Sequence, residues 1–134
     1  MTMLENIHWK NGRPPLVLAI DDEEHILDIV KTFLEGEGFA VETHTDPRRA
    51  VEWYQQRWRE VDVILLDYLM PDMNGEAVFE QVRKIHPEAR VVLLTACDGS
   101  VAKKLLEQGL RGYIQKPFYL SQLAREIQNV LASS

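Results

Sequence analysis

The sequence predicts an α/β fold: a parallel sheet of five strands, doubly wound, with helices on both faces. Three observations predict it. Short apolar runs alternate with stretches that carry apolar residues at helical spacing, and this unit repeats along the chain. Three runs, Leu16-Val17-Leu18-Ala19-Ile20, Val63-Ile64-Leu65-Leu66 and Val91-Val92-Leu93-Leu94, are apolar without a break, as strands covered on both faces are. Each of the three ends abruptly on a polar residue: Asp21, Asp67 or Thr95.

The elements follow in order. Residues 1–15 have weak periodicity, end in Gly12-Arg13-Pro14-Pro15 and read as a flexible arm with Trp9 as its one candidate anchor. The first strand is Leu16 to Ile20. The first helix places Ile26, Leu27, Val30, Phe33 and Leu34 on one face and ends at Gly36 and Gly38. Phe39 to Thr45 alternates, which suits a strand with one wet side. Asp46-Pro47 is an N-cap followed by proline at the first helical position, and Ala50, Val51, Tyr54 and Trp58 give that helix its apolar face. The third strand ends at Asp67, and the turn Met70-Pro71-Asp72-Met73-Asn74-Gly75 leads into a helix with Val78, Phe79, Val82 and Ile85, closed by Pro87. Arg90 to Thr95 is the fourth strand. Val101, Ala102, Leu105 and Leu106 mark the fourth helix, which ends at Gly109. Gly112 to Gln115 is a short fifth strand broken by Lys116-Pro117-Phe118, and Leu120, Leu123, Ile127, Val130 and Leu131 line the last helix. These elements form one domain over 16–132, with 133–134 as a tail.

Length and composition set limits. A chain of 134 residues suits one domain. The net charge of −6 argues against direct binding to nucleic acid, which wants a basic face. No apolar run approaches the roughly 20 residues of a membrane span, and no signal-peptide pattern opens the chain. The single cysteine, Cys97, excludes an internal disulfide and fits a reducing, cytoplasmic compartment. The sequence stops shortly after the last helix, so no output domain is expected within it.

Strand order follows from the same runs. The first, third and fourth strands are continuously apolar and belong inside the sheet, while the second and fifth are mixed or short and belong at its edges. Order 2-1-3-4-5, the flavodoxin-like arrangement, satisfies both. In such sheets ligands bind beyond the carboxyl ends of the strands, near the switch in order. Those ends carry Asp21, Asp22, Asp67, Thr95 and Lys116. Two unit charges ~5 Å apart repel by roughly 3 kcal/mol at an effective dielectric of about 20, so clustered carboxylates call for a counter-charge. Mg2+ fits, because it takes oxygen ligands and shares its shell with phosphate. Lys116 adds a point cation suited to phosphate and Thr95 a hydroxyl. Asp67 is then placed to act as a nucleophile and form an aspartyl phosphate.

Each residue also has an ordinary reading by itself. Asp21 and Asp22 can cap the first helix, Asp67 can form a turn, Thr95 can be a strand-former and Lys116 a solvated end. Their placement at successive strand ends is what favours the chemical reading.

Taken in order, Asp21-Asp22, Asp67 with Met70-Pro71-Asp72-Met73-Asn74-Gly75, Leu94-Thr95-Ala96 and Gly112-Tyr113-Ile114-Gln115-Lys116-Pro117-Phe118 make the chain resemble a response regulator receiver domain, the CheY-like family of two-component signalling. The resemblance runs from Leu16 to about Leu131. It implies Asp67 as phosphoacceptor, and Asp22 and Asp67 as side-chain Mg2+ ligands. Asp21 would act directly or through water, and the Leu69 backbone carbonyl would complete the protein's share. It implies Thr95 as the switch hydroxyl, Tyr113 as an aromatic that swings inward, Lys116 as the phosphate-binding lysine, and a cis bond between Lys116 and Pro117. It implies a phosphoryl donor, either a sensor histidine kinase or a histidine phosphotransferase. It also implies a downstream target or output domain reached through helix four, strand five and helix five. None of the chain's four histidines is expected at a strand end, so none is taken for the donor.

The chain departs from the family pattern in places. Between Thr95 and Gly109 it is about one residue short, so the loop or the start of helix four should be unusual. Arg111-Gly112 stands where the winged-helix regulators carry an acidic pair, so their dimer is not carried over, although a phosphorylation-linked dimer stays open. Tyr119 and Leu120 replace a polar cap on helix five. Leu69 and Cys97 sit two residues after Asp67 and Thr95, positions that tune phosphoryl lifetime in this family. Neither offers a carboxylate or amide to position water, which implies slow self-hydrolysis. Two other functions remain: a degenerate receiver that only docks, and an aspartate-nucleophile phosphatase. The latter usually has a second Asp two residues beyond the nucleophile, where this chain has Leu69.

Overall fold

The computed structural model describes residues 12–96 and 99–133. Five strands form one parallel sheet in the order β2-β1-β3-β4-β5: β1 (Leu16–Ile20), β2 (Ala40–His44), β3 (Val63–Asp67), β4 (Val91–Thr95) and β5 (Gly112–Gln115). The helices between them are α1 (Glu24–Gly36), α2 (Pro47–Arg57), α3 (Gly75–Ile85), α4 (Gly99–Glu107) and α5 (Leu120–Ala132). This is the predicted fold and strand order, with the three continuous apolar runs in the middle.

The sheet divides the core in two because successive strand residues face opposite sides. Val17, Ala19, Val63 and Leu65 pack with α1 and α5, while Leu18, Ile20, Ile64 and Leu66 pack with α2, α3 and α4. Every residue of β3 and of β4 is buried. β5 alternates buried and exposed, as an edge strand should.

Local signals explain most of the element ends. Asp46 accepts a hydrogen bond from the Arg48 N–H at 3.0 Å, with Pro47 opening α2. α2 stops at Arg57, and Trp58–Glu60 winds into a short 3-10 turn. Trp58 leaves the α2 face and stacks on His86 at 4.8 Å, at the end of α3. Asn74 caps α3 by accepting from the Ala77 N–H at 3.0 Å. The missing polar cap of α5 is supplied from inside the helix, where Gln122 Oε1 accepts from the Tyr119 N–H at 2.7 Å.

Two expectations need amendment. His44 is the last residue of β2, so one histidine does stand at a strand end. Its carbonyl accepts from the Asp21 N–H at 3.3 Å, but its imidazole lies against Trp53 and beside Glu42 rather than facing the carboxylates. Leu106 is 40% exposed rather than on the buried face of α4, which rests on Ala102 and Leu105. The arm expected over 1–15 lies outside the described residues as far as 11. Pro15 is buried and accepts from the Ala40 N–H at 2.9 Å, so the sheet network begins just before β1. Trp9, and within the Thr95–Gly109 stretch Cys97 and residue 98, lie outside the described residues. Among those described, no helix is long and apolar enough to cross a membrane.

Candidate phosphoacceptor site

The parallel register stacks the strand ends of β1, β3, β4 and β5 at one rim. Ile20 pairs with Leu66, Asp67 with Leu94, and Thr95 with Gln115, so Asp21, Asp67, Thr95 and Lys116 fall at adjacent heights. Asp21, Asp67 and Thr95 are the buried polar residues among those described, at 2%, 5% and 1% exposure. Asp22 beside them is exposed. One carboxylate oxygen from each of Asp21, Asp22 and Asp67 lies within 4.8 Å of the others, which brings the sequence-predicted acidic set together.

Asp21 is fixed by its own turn: Oδ1 accepts from the Glu23 N–H at 2.9 Å, just before α1. Its Oδ2 is buried without a hydrogen-bond partner. A buried carboxylate oxygen with no hydrogen bond is costly. An oxygen-seeking cation would satisfy it, so the residues present fit a hard divalent ion. Lys116 Nζ donates to Asp67 Oδ1 at 3.0 Å and lies 3.7 Å from Asp21 Oδ2. The Lys116–Pro117 peptide is cis, as the resemblance implied.

Electrostatics record the crowding. Burial pushes the Asp67 carboxyl up to about 6. The Lys116 hydrogen bond opposes that rise, and the Asp21 and Asp22 charges add to it. Burial likewise raises Asp21, against the Glu23 N–H and Lys116. Burial alone would lower the Lys116 ammonium. Its hydrogen bond to Asp67 and the charges of Asp67, Asp21 and Glu23 outweigh that and raise it. One lysine therefore leaves the three carboxylates under-compensated.

Two other predicted residues stand at the periphery. Leu69 is 60% exposed in the turn after Asp67. Tyr113 faces outward at 40% exposure, its hydroxyl 3.4 Å from where a Cβ on Gly99 would lie, at the start of α4. Thr95 closes β4, and its carbonyl accepts from the Lys116 N–H at 2.8 Å, which ties the hydroxyl-bearing strand to the lysine. A cavity of about 530 Å³ opens beside the site, lined by Ile26, Ile29 and Phe118 with Glu23 and Lys116 at one side.

Gly75 is a residue whose role the sequence reading did not isolate. Its N–H donates to the Tyr68 carbonyl at 2.8 Å. A Cβ there would lie 2.9 Å from both the Asp67 carbonyl oxygen and Tyr68 Cα, which are backbone atoms that cannot swing away. Gly75→Ala is expected to lower stability by about 1–3 kcal/mol through overpacking, even though alanine favours a helix by about 1 kcal/mol. Denaturant midpoints check this; an unchanged or raised midpoint would show that the turn yields.

A doubly wound sheet with a buried aspartate, two companion aspartates and a lysine at its rim is the layout of a two-component receiver domain. The chain belongs to the response regulator receiver domain family, whose model matches residues 17–128. It is 32% identical over 132 residues to the transcriptional regulatory protein TrcR of Mycobacterium tuberculosis, covering 98% of this chain and 51% of that protein. It is 32% identical over 116 residues to the regulatory protein VanRc of Enterococcus gallinarum, covering 86% and 49%. The chain thus spans about half the length of these curated relatives. Among solved structures it superposes on the CheX-CheY-BeF3-Mg+2 complex from Borrelia burgdorferi with a TM-score of 0.88 at 26% identity, covering 96% of this chain and 98% of that one. It also superposes on the Vibrio cholerae chemotaxis protein CheY4 with a TM-score of 0.80 at 31% identity, covering 88% and 99%.

Proposed function

We propose that this receiver accepts a phosphoryl group from a partner's phosphohistidine onto Asp67, with Mg2+ held by Asp22, Asp67 and the Leu69 carbonyl and Asp21 nearby. On this reading it relays the modification as a signal and has no metabolic activity of its own. The observation that carries the reading is the buried Asp67 carboxylate within 4.8 Å of two other aspartates and 3.0 Å from Lys116. When bound, the ion would neutralise charge developing on the transferred group.

The residues divide the work as follows. An Asp67 oxygen forms a bond to phosphorus as the bond from phosphorus to the imidazole nitrogen breaks. The bonding electron pair leaves on that nitrogen. Lys116 turns its ammonium from the carboxylate to an equatorial phosphoryl oxygen, which keeps the site's charge paired. Thr95 donates its hydroxyl to a second such oxygen. As Thr95 moves inward it vacates room on the α4 side, which Tyr113 turns in to fill. The changed α4–β5–α5 face is what a downstream partner or an output domain reads. The donor, a sensor histidine kinase or histidine phosphotransferase, must bring an imidazole to Asp67, and the apolar cavity beside Lys116 supports its docking there. A cytoplasmic setting suits this partner.

Incubation with a small phosphodonor and Mg2+, followed by intact mass, tests the reading. One phosphoryl adduct is expected on the wild type and none on Asp67→Asn. No adduct on the wild type would leave a docking module, and turnover of phosphate esters would mean a phosphatase.

A further inference from the structure

Among the five helices, α4 buries the fewest residues, Ala102 and Leu105. Two polar side chains of α3 hold it in addition. Arg83, lying over the Phe79 ring at 5.6 Å, donates from Nη1 to the Gln108 carbonyl just past the helix end. Its guanidinium fills the space a Cβ on Gly109 would need, and Gly109 stands at φ +109°, where glycine is favoured. This end of α4 is pinned. One turn earlier, Lys104 Nζ donates to Glu76 Oε1 at 2.9 Å across the helix interface. Glu76 follows Gly75 directly, and Gly75 is wedged against the Asp67 carbonyl and bonded to Tyr68. A shift in the backbone at Asp67 would press on Gly75, the neighbour of Glu76.

We infer that Glu76 and Lys104 form a latch that carries the state of Asp67 to α4, with the Arg83–Gln108 contact as its pivot. The inference rests on the phosphoacceptor reading. It adds a path through the first turn of α3, separate from Thr95 and Tyr113. Both latch residues are positioning residues, since neither reaches the reacting atoms. Lys104 is 60% and Glu76 26% exposed in their side chains, so the latch is weak enough to open. By linkage, a partner that opens it by binding α4 alters Mg2+ binding at Asp67 by the same factor.

Hydrogen exchange of the α4 amides, measured on the full chain with and without Mg2+ and beryllofluoride as a phosphoryl stand-in, tests this. In the wild type, α4 exchange is expected to change by roughly two- to fivefold, the range an exposed ion pair supports. Lys104→Met and Glu76→Gln should each lose that response while the turn after Asp67 stays protected. Lys104→Arg should keep it, and the double variant should be no worse than either single one. An undiminished α4 response in Lys104→Met, or no α4 response in a wild type whose turn is protected, overturns the latch alone. A wild type in which not even the turn after Asp67 responds overturns the latch together with the phosphoacceptor reading.

Discussion

Lys116→Met is expected to slow phosphoryl uptake from a small donor by roughly 100-fold or more at saturating Mg2+, the loss typical when one donor to a developing anion is removed. Methionine keeps the unbranched stem and deletes the charge. In the resting site that charge sits 3.0 Å from Asp67 Oδ1 and 3.7 Å from Asp21 Oδ2, so the change leaves two buried carboxylates facing each other unpaired. It should also lower stability without metal. Because the lysine side chain is 27% exposed, the cost is set at about 1–3 kcal/mol, below that of breaking a fully buried pair. Stopped-time mass measurements of adduct growth check the rate. A loss below tenfold would move the phosphate-binding role to another residue.

Asp67→Asn should stabilise the protein at neutral pH when Mg2+ is absent. The folded-state value of Asp67 is raised from 3.8 to about 6, so the folded chain holds this proton more tightly than the unfolded chain does. Between about pH 4 and 6 the folded state binds more protons, and stability falls as pH rises through that window. Above it the ionised carboxylate costs the fold up to roughly 3 kcal/mol, from about 1.4 kcal/mol per pH unit. Asparagine removes that cost, less what Lys116 loses in a partner, for an expected net gain of about 1–2 kcal/mol at pH 7.5 that fades towards pH 4. Mg2+ should raise the melting temperature of the wild type by mass action and that of the variant much less. Thermal melts across pH with and without the ion measure both effects. An asparagine variant less stable than the wild type at pH 7.5 without Mg2+ would contradict this account of the site.

The strands and the rim were legible because they rest on short-range rules. Val63 to Leu66 is apolar on both faces and so had to be central, and a carboxylate at its end had to face a mouth, bind a cation or cap the next turn. The acidic set, Thr95 and Lys116 follow once the strands are ordered. What stayed hidden depends on side chains meeting across the fold. Lys104 and Glu76 are separated by 28 residues, and nothing local marks them as partners. Arg83 reaching the end of α4 depends on how two helices pack. Gly75 read as part of a turn, whereas its need for a missing Cβ is set by the strand beneath it. Leu106 fits a helical period, but α4 is covered on too narrow a stripe to bury it. The cap of α5 escaped because Gln122 lies inside the helix and reaches back.

The two cores on either side of the sheet share strand backbones but few side-chain neighbours. α1 and α5 belong to the core that holds Val17 and Leu65; α4 belongs with α2 and α3 to the core that holds Ile20 and Leu66. Substitutions on one side are therefore insulated from the other, and their effects on folding should add. Because α4 belongs to one core and α5 to the other, the proposed α4–β5–α5 face straddles both, and a lineage that remodels it must accommodate changes on two sides of the sheet.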